Sequence, residues 1–160
     1  EIIKILQVND ALAEMVALFR VELRSYKGIA SKPNVEAGLE EMEEYLAAGF
    51  PVFAATVDGE YAGYVVCRVD SEVVWVESIF VKDEYRRQGI ASALHSKAEE
   101  IAAFYGDDTV YNYVHPNNHR MIAFLRKRGY TVLNLIEIRK PYQGEQPTQT
   151  ICVGEHEFDY

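Results

Sequence analysis

Apolar positions recur with two different periods along this chain, and the periods mark its elements. Ile2–Val8 is a short apolar segment that ends at Asn9-Asp10, a pair suited to capping a helix. Leu12, Val16, Phe19, Leu23 and Tyr26 then follow at spacings of three and four, the signature of one helical face, until Gly28 stops the run. A loop over Ile29–Asn34, containing Pro33, leads to a second, acidic helix over Val35–Ala48 with Leu39, Met42 and Leu46 turned inward. Gly49 and Pro51 end it.

Three strand-like runs come next: Val52–Val57, Tyr61–Val69 and Glu72–Val81. Asp58-Gly59 offers the left-handed residues that a tight hairpin needs, and Asp70-Ser71 turns the chain again. Such short connections predict an antiparallel meander. After Glu84 the period returns to helical, with Ile90, Leu94, Ala98, Ile101 and Tyr105 on one stripe closed by Gly106. Thr109–Val114 reads as a strand, Asn118–Arg128 as a helix ending at Gly129, and Tyr130–Ile138 as a further strand. A meander followed by alternating strands and helices predicts an α+β (α/β) fold: a mixed central sheet of six or seven strands with helices on both faces. The expected layout is one domain over residues 1–140. A polar linker follows from Pro141, and Ile151–Tyr160 either adds a last strand or docks on a partner.

Composition narrows the class. In 160 residues, 49% are apolar and 12% aromatic, enough for a packed core, and the net charge is −9. No apolar run approaches a membrane span, and the first ten residues carry no signal-peptide pattern, so a cytoplasmic protein is expected. Cys67 and Cys152 stand far apart, which argues against a disulfide scaffold or a zinc site. The acidity is uneven. Residues 34–60 hold seven acids and no Lys or Arg, whereas residues 82–140 hold ten bases against seven acids. One region therefore suits a cation, or simply solvates a helix face, and another suits an anion. A chain this acidic is not expected to bind nucleic acid.

The stretch VVWVESIFVKDEYRRQGIA, from Val73 to Ala91, carries chemistry. A buried strand runs into a polar turn, and Arg86-Arg87-Gln88-Gly89-Ile90-Ala91 opens a helix. The first turn of a helix holds N–H groups without an internal partner at the positive end of the dipole. Gly89 and Ala91 let a ligand approach that backbone, and the arginines add charge, so a phosphate or pyrophosphate is the expected guest. Neither GxxxxGK[ST] nor GxGxxG occurs in the required context.

Arg86-x-x-Gly89-x-Ala91 after a strand ending Ile79-Phe80-Val81 resembles motif A of the GNAT superfamily of acetyl-CoA-dependent N-acetyltransferases. A second block, Val114, Asn118, Phe124 and Gly129-Tyr130, is similar to that family's later motif. The resemblance covers roughly residues 1–140 and implies a sheet splayed between its fourth and fifth strands, at a bulge in the fourth. It also implies that the backbone of Ile79, Phe80 and Val81 pairs with the pantetheine arm of acetyl-CoA. The N–H groups around Arg87, Gln88, Gly89, Ile90, Ala91 and Ser92 would hold the pyrophosphate, with Arg86 beside them. Asn118 would contact the pantetheine amide or a nearby water. Where many members have a Tyr proposed to protonate the leaving thiolate, this chain has Leu125, and Met121 replaces a small residue. Tyr113, Tyr130 and Tyr142 are the conceivable substitutes.

An amine of ordinary pKa is neutral in about one molecule in 10³ at pH 7, a handicap of roughly 4–5 kcal/mol that a general base addresses. Glu77 is the candidate base. It lies in the row Val73, Trp75, Glu77, Ile79, Val81, and apolar surroundings favour the neutral form of a carboxyl. The alternative is a structural carboxylate paired with a cross-strand partner such as Arg68. The histidines form no ligand spacing, so no metal is expected. The acceptor region implied by the family spans about Tyr26–Tyr45 and includes the acidic run, favouring a cationic amine: small molecule or peptide, with a homodimer possible. A CoA-binding sensor that has lost catalysis is the competing reading.

Overall fold

The computed structural model describes Glu1–Tyr160. The chain forms two compact units: Glu1–Glu22 with Lys32–Tyr113, and Leu23–Ser31 with Val114–Tyr160.

The first unit is built on a five-stranded sheet in the order β1-β2-β3-β4-β5. Its strands are β1 (Ile2–Lys4), β2 (Val52–Val57), β3 (Glu60–Asp70), β4 (Val73–Val81) and β5 (Tyr111–Asn112). The first four pair antiparallel and β5 joins β4 in parallel, which makes the sheet mixed. The β2–β3 turn places Asp58 and Gly59 both at positive φ, the mirror-image turn that the twist of a hairpin prefers.

Helix α1 (Asp10–Ser25) starts where Asn9 Oδ1 accepts the Leu12 N–H at 2.9 Å, and α2 (Val35–Ala47) starts where Asn34 Oδ1 accepts the Ala37 N–H at 3.0 Å. Leu12, Met15 and Val16 of α1 and Met42 of α2 form one core with Val52, Ala54, Tyr64, Val66 and Phe80 of the sheet. Gly38 sets how closely the two helices approach, since a Cβ there would lie 2.3 Å from the Ala13 carbonyl oxygen. Helix α3 (Ile90–Phe104) buries Leu94, His95, Ala98 and Ala102 against the opposite side, where Lys97 lies over the Phe53 ring.

The second unit contains the last turn of α1, helix α4 (His119–Lys127) and a separate hairpin of β6 (Thr150–Val153) and β7 (His156–Asp159). The Tyr26 carbonyl accepts from Asn117 Nδ2 at 3.0 Å and Gln149 Nε2 at 3.1 Å. His115 Nδ1 lies 2.8 Å from the Tyr160 hydroxyl.

Two expectations need correction. The strand expected over Tyr130–Ile138 is not formed: residues 131–140 are exposed and in no regular element, and no backbone hydrogen bond ties residues 131–138 to the chain. Its β-forming sequence finds no neighbouring strand, and a strand without a partner is not one. The strand expected over Thr109–Val114 pairs only through Tyr111 and Asn112. The sheet accordingly has five strands, with two more in the hairpin.

Candidate active site

The geometry of the first unit turns on one extra residue in β4. Val66 pairs with Ser78 and Cys67 with Val76, so Glu77 has no partner of its own in β3 and forms a bulge. The bulge reverses which side chains share a face. Tyr64, Val66 and Arg68 alternate along β3, and their partners are Phe80, Ser78 and Trp75. Trp75 therefore lies on the α1–α2 side with Ser78 and Phe80, while Ile79 lies with Val76 on the other. The single row Val73, Trp75, Glu77, Ile79, Val81 expected from strict alternation is broken at Glu77.

The bulge also coincides with the end of pairing to β5. Trp75 pairs with Tyr111 and Val76 with Asn112, and nothing follows. From Glu77 to Val81, β4 is hydrogen-bonded on its β3 side alone, as the expected splay requires. An extended polar chain can add there as a strand.

Glu77 is not alone among apolar neighbours. Its Oε2 accepts from Arg68 Nε at 3.2 Å, and Arg68 Nη2 donates to the Tyr113 hydroxyl at 2.6 Å. The Arg68 guanidinium also lies over Trp75, 4.3 Å from the ring centroid. On α2, Glu41 accepts from Arg20 Nε at 2.8 Å and bonds the Tyr45 hydroxyl. Burial pushes the Tyr45 phenol up, and the nearby Glu41 and Glu77 carboxylates push it further, so Tyr45 stays neutral. Tyr64 and Ser78 join by a buried 2.8 Å hydrogen bond. Glu40, Glu43 and Glu44 line an open hollow on the outer face of α2, a solvated helix face.

Beyond β4, a single 3₁₀ turn (Asp83–Tyr85) carries the chain to α3. Arg87 and Gly89 take positive φ, and Gly89 caps α3 with no side chain bonded to the helix end. The first helical bond runs from the Ala93 N–H to the Gly89 carbonyl at 3.1 Å, so the N–H groups of Ile90, Ala91 and Ser92 precede the ladder. A Cβ on Gly89 would meet nothing within 4 Å. The exposed Arg87 and Gln88 flank this niche. Arg86 is committed elsewhere: its Nε donates to the Val81 carbonyl at 2.8 Å, and its other nitrogens engage Glu22 and Asp83. Its side chain locks the turn to the end of β4, a role the motif alone did not reveal.

The remaining expected residues lie in the second unit. Asn118 Oδ1 accepts the Met121 N–H at 3.1 Å as the cap of α4, and Leu125 is buried. No group of His, Cys, Asp and Glu is arranged to hold a metal, and no helix is long and apolar enough to cross a membrane.

The family model described as acetyltransferase (GNAT) family matches residues 15–130. The chain belongs to this family. Among relatives, the N-alpha-acetyltransferase of Sulfurisphaera tokodaii is 30% identical over 115 residues, which span 61% of this chain and 65% of that protein. The GNAT architecture recurs in the aminoglycoside N-acetyltransferase AAC(6')-Iy in complex with CoA, at TM-score 0.65 and 23% identity, covering 88% of this chain and 93% of that one. It recurs again in the PaiA N-acetyltransferase of Thermoplasma acidophilum in complex with coenzyme A, at TM-score 0.64 and 20% identity over 80% of this chain and 87% of that one. At such identities the two structures establish the fold.

Proposed function

We propose that this GNAT protein moves the acetyl group of acetyl-CoA to a primary amine by direct attack in a ternary complex. The observation that carries this reading is the one-sided pairing of Glu77–Val81, in the same unit as the uncapped start of α3 at Gly89. The first suits an amide-bearing arm laid down as a strand, and the second suits a diphosphate. Ile79, Phe80 and Val81 would contact the arm; Arg87 to Ser92 would hold the diphosphate. Asn118 and Leu125 are proposed contacts by their place in the family motif.

Glu77 is the proposed base. Arg68 fixes Oε2, leaving Oε1 to accept a proton from the amine directly or through one water. Nitrogen then attacks the thioester carbon, the carbon–sulfur bond breaks, and CoA leaves as the thiol or thiolate. A thiol pKa near 8.5 makes that departure tolerable without a dedicated acid at Leu125. The acidic run over residues 34–60, seven acids with no Lys or Arg, supports an acceptor that is cationic in solution: a small polyamine or amino sugar, or a peptide amine.

Thiol release from acetyl-CoA across a panel of such amines tests the reading. Amine-dependent release supports it. No acetyl-CoA uptake at millimolar ligand in a calorimetric titration would overturn it. The buried Leu125 favours a second reading, an acetyl-CoA-binding module without turnover. Tight uptake with no product on any amine would select that one.

A further inference from the structure

Arg68 holds the proposed base through a single bond. Its Nε donates to Glu77 Oε2 at 3.2 Å, whereas a guanidinium committed to a carboxylate frequently grips both oxygens with a fork of two N–H groups. Nη2 goes elsewhere and donates to the Tyr113 hydroxyl at 2.6 Å. Nη1 donates to nothing in the chain. Tyr113 accepts in that contact, so its own proton is unspent as well. The Trp75 ring, 4.3 Å from the guanidinium carbon, and the Tyr113 ring, 5.6 Å from it, hold the plane of the arginine head. The Arg68 side chain is 25% exposed and Tyr113 56%, so solvent reaches both donors. All these residues belong to the first unit, with Tyr113 directly after β5, where pairing to β4 ends. Glu77 Oε1 therefore stands as a free hydrogen-bond acceptor on a carboxylate whose other oxygen adjoins two unspent donors.

We propose that the amine substrate carries a carbonyl oxygen on the carbon next to its amine-bearing carbon, and that Arg68 and Tyr113 select it by donating to that oxygen. The proposal rests on the acetyl-transfer reading and names the substrate class which that reading leaves open: α-amino acyl compounds. Nitrogen and oxygen in such a group lie about one hydrogen-bond length apart. One end can then meet the carboxylate while the other meets the guanidinium or the phenol. A polyamine offers no oxygen, and its second ammonium would stand beside a guanidinium. The nucleophile agrees. An α-amine of unperturbed pKa about 7.7–8.0 is neutral in roughly one molecule in ten at pH 7, so it asks less of a base than an alkylamine does.

Alaninamide and butan-2-amine test this, because they share the carbon skeleton around the amine and differ in the carbonyl. Acetyl transfer to each is read as kcat/KM per neutral amine, which removes their difference in basicity. The parent is expected to favour alaninamide by at least about tenfold. Arg68→Gln should bring that ratio close to unity. Tyr113→Phe, which leaves the Arg68–Glu77 pair in place, should lower it severalfold. Each variant is judged by its own ratio, so a general loss of activity from a displaced Glu77 cancels. Free alanine and an alanyl dipeptide separate the two sources of this chemistry: preference for the first assigns an amino acid, for the second a peptide terminus, and either supports the proposal. Butan-2-amine or spermidine turned over as well as alaninamide, or a ratio unmoved in both variants, overturns it and leaves acetyl transfer standing. No thiol release with any amine overturns the acetyl-transfer reading and this proposal together.

Discussion

Arg68 and Glu77 meet across the register shift between β3 and β4, Nε to Oε2 at 3.2 Å, with about a quarter of each side chain exposed. The bulge makes this pair possible. Without the extra residue in β4, Glu77 would stand directly opposite a β3 residue and share a face with Trp75. With it, the carboxylate lies where β4 loses its β5 neighbour, held by a guanidinium that also contacts Trp75 and Tyr113. A partly exposed ion pair contributes little to stability, so the arrangement is better read as orientation of the carboxylate.

Glu77→Gln keeps the shape and a hydrogen bond to Arg68 but removes the base. It is expected to lower kcat by about 10²–10⁴-fold while the KM for acetyl-CoA stays near that of the parent. Steady-state kinetics at fixed pH, with circular dichroism as a folding control, check this. Unchanged kcat would reduce Glu77 to a structural partner of Arg68.

Gly89→Val separates ligand binding from stability. The residue sits at φ +79°, where an L side chain costs on the order of 1–2 kcal/mol, yet beyond its own chain neighbours nothing lies within 4 Å of the new Cβ. The domain should therefore fold, slightly weakened, with bulk standing where a diphosphate would approach the Ile90–Ser92 amides. Calorimetry should register at least a tenfold loss in CoA affinity beside only a modest fall in melting temperature.

The contrast between these positions shows what a sequence can express. Helix starts at Asn9 and Asn34 and the Asp58-Gly59 hairpin are local events, decided by neighbours within four residues, and they were legible. So was the niche at Gly89, because its parts are consecutive. A bulge in the fourth strand was implied by the family resemblance, but its place at Glu77 was not legible. It exists only as a mismatch between two strands, and alternation read along one strand assigns Ile79 to the wrong face. The 130–138 segment is the reverse case: its β pattern is plain, but a pattern cannot supply a neighbouring strand, and residues 131–138 make no backbone hydrogen bond.

Gly38→Ala probes a contact of that nonlocal kind. The added methyl would fall 2.3 Å from the Ala13 carbonyl oxygen and 3.1 Å from the Ala17 nitrogen, both backbone atoms that cannot step aside. Alanine ordinarily favours a helix interior, so propensity predicts a gain of roughly 1 kcal/mol. Overpacking between α1 and α2 should outweigh it, for a net loss of about 1–3 kcal/mol in urea unfolding.

The two thiols should differ sharply. Cys67 is buried in β3, and burial pushes its thiol up to about 12, so almost no thiolate exists at neutral pH. Cys152 is exposed on β6. A thiol reagent at pH 8 should label one cysteine per folded chain, identified as Cys152 by peptide mass, and two in denaturant. Rapid labelling of Cys67 without denaturant would mean that the sheet opens locally.

Protonation of His115 should weaken the fold in mild acid. Burial, and then the charge of Lys27, hold its imidazole below the ordinary histidine range, with Nδ1 against the Tyr160 hydroxyl. A folded pKa below the unfolded one means that the unfolded chain takes up the proton first as pH falls. This contribution is therefore complete above the unperturbed value of about 6.5 and drains away as pH drops through the folded pKa. Melting temperatures from pH 8 to pH 5 should fall more steeply for the parent than for His115→Gln, which has no proton to gain. Because other groups titrate in both proteins, the difference between the two curves is the decisive quantity. Parallel curves would mean that His115 can be protonated in the folded chain at no cost, and that Lys27 and Tyr160 do not constrain it.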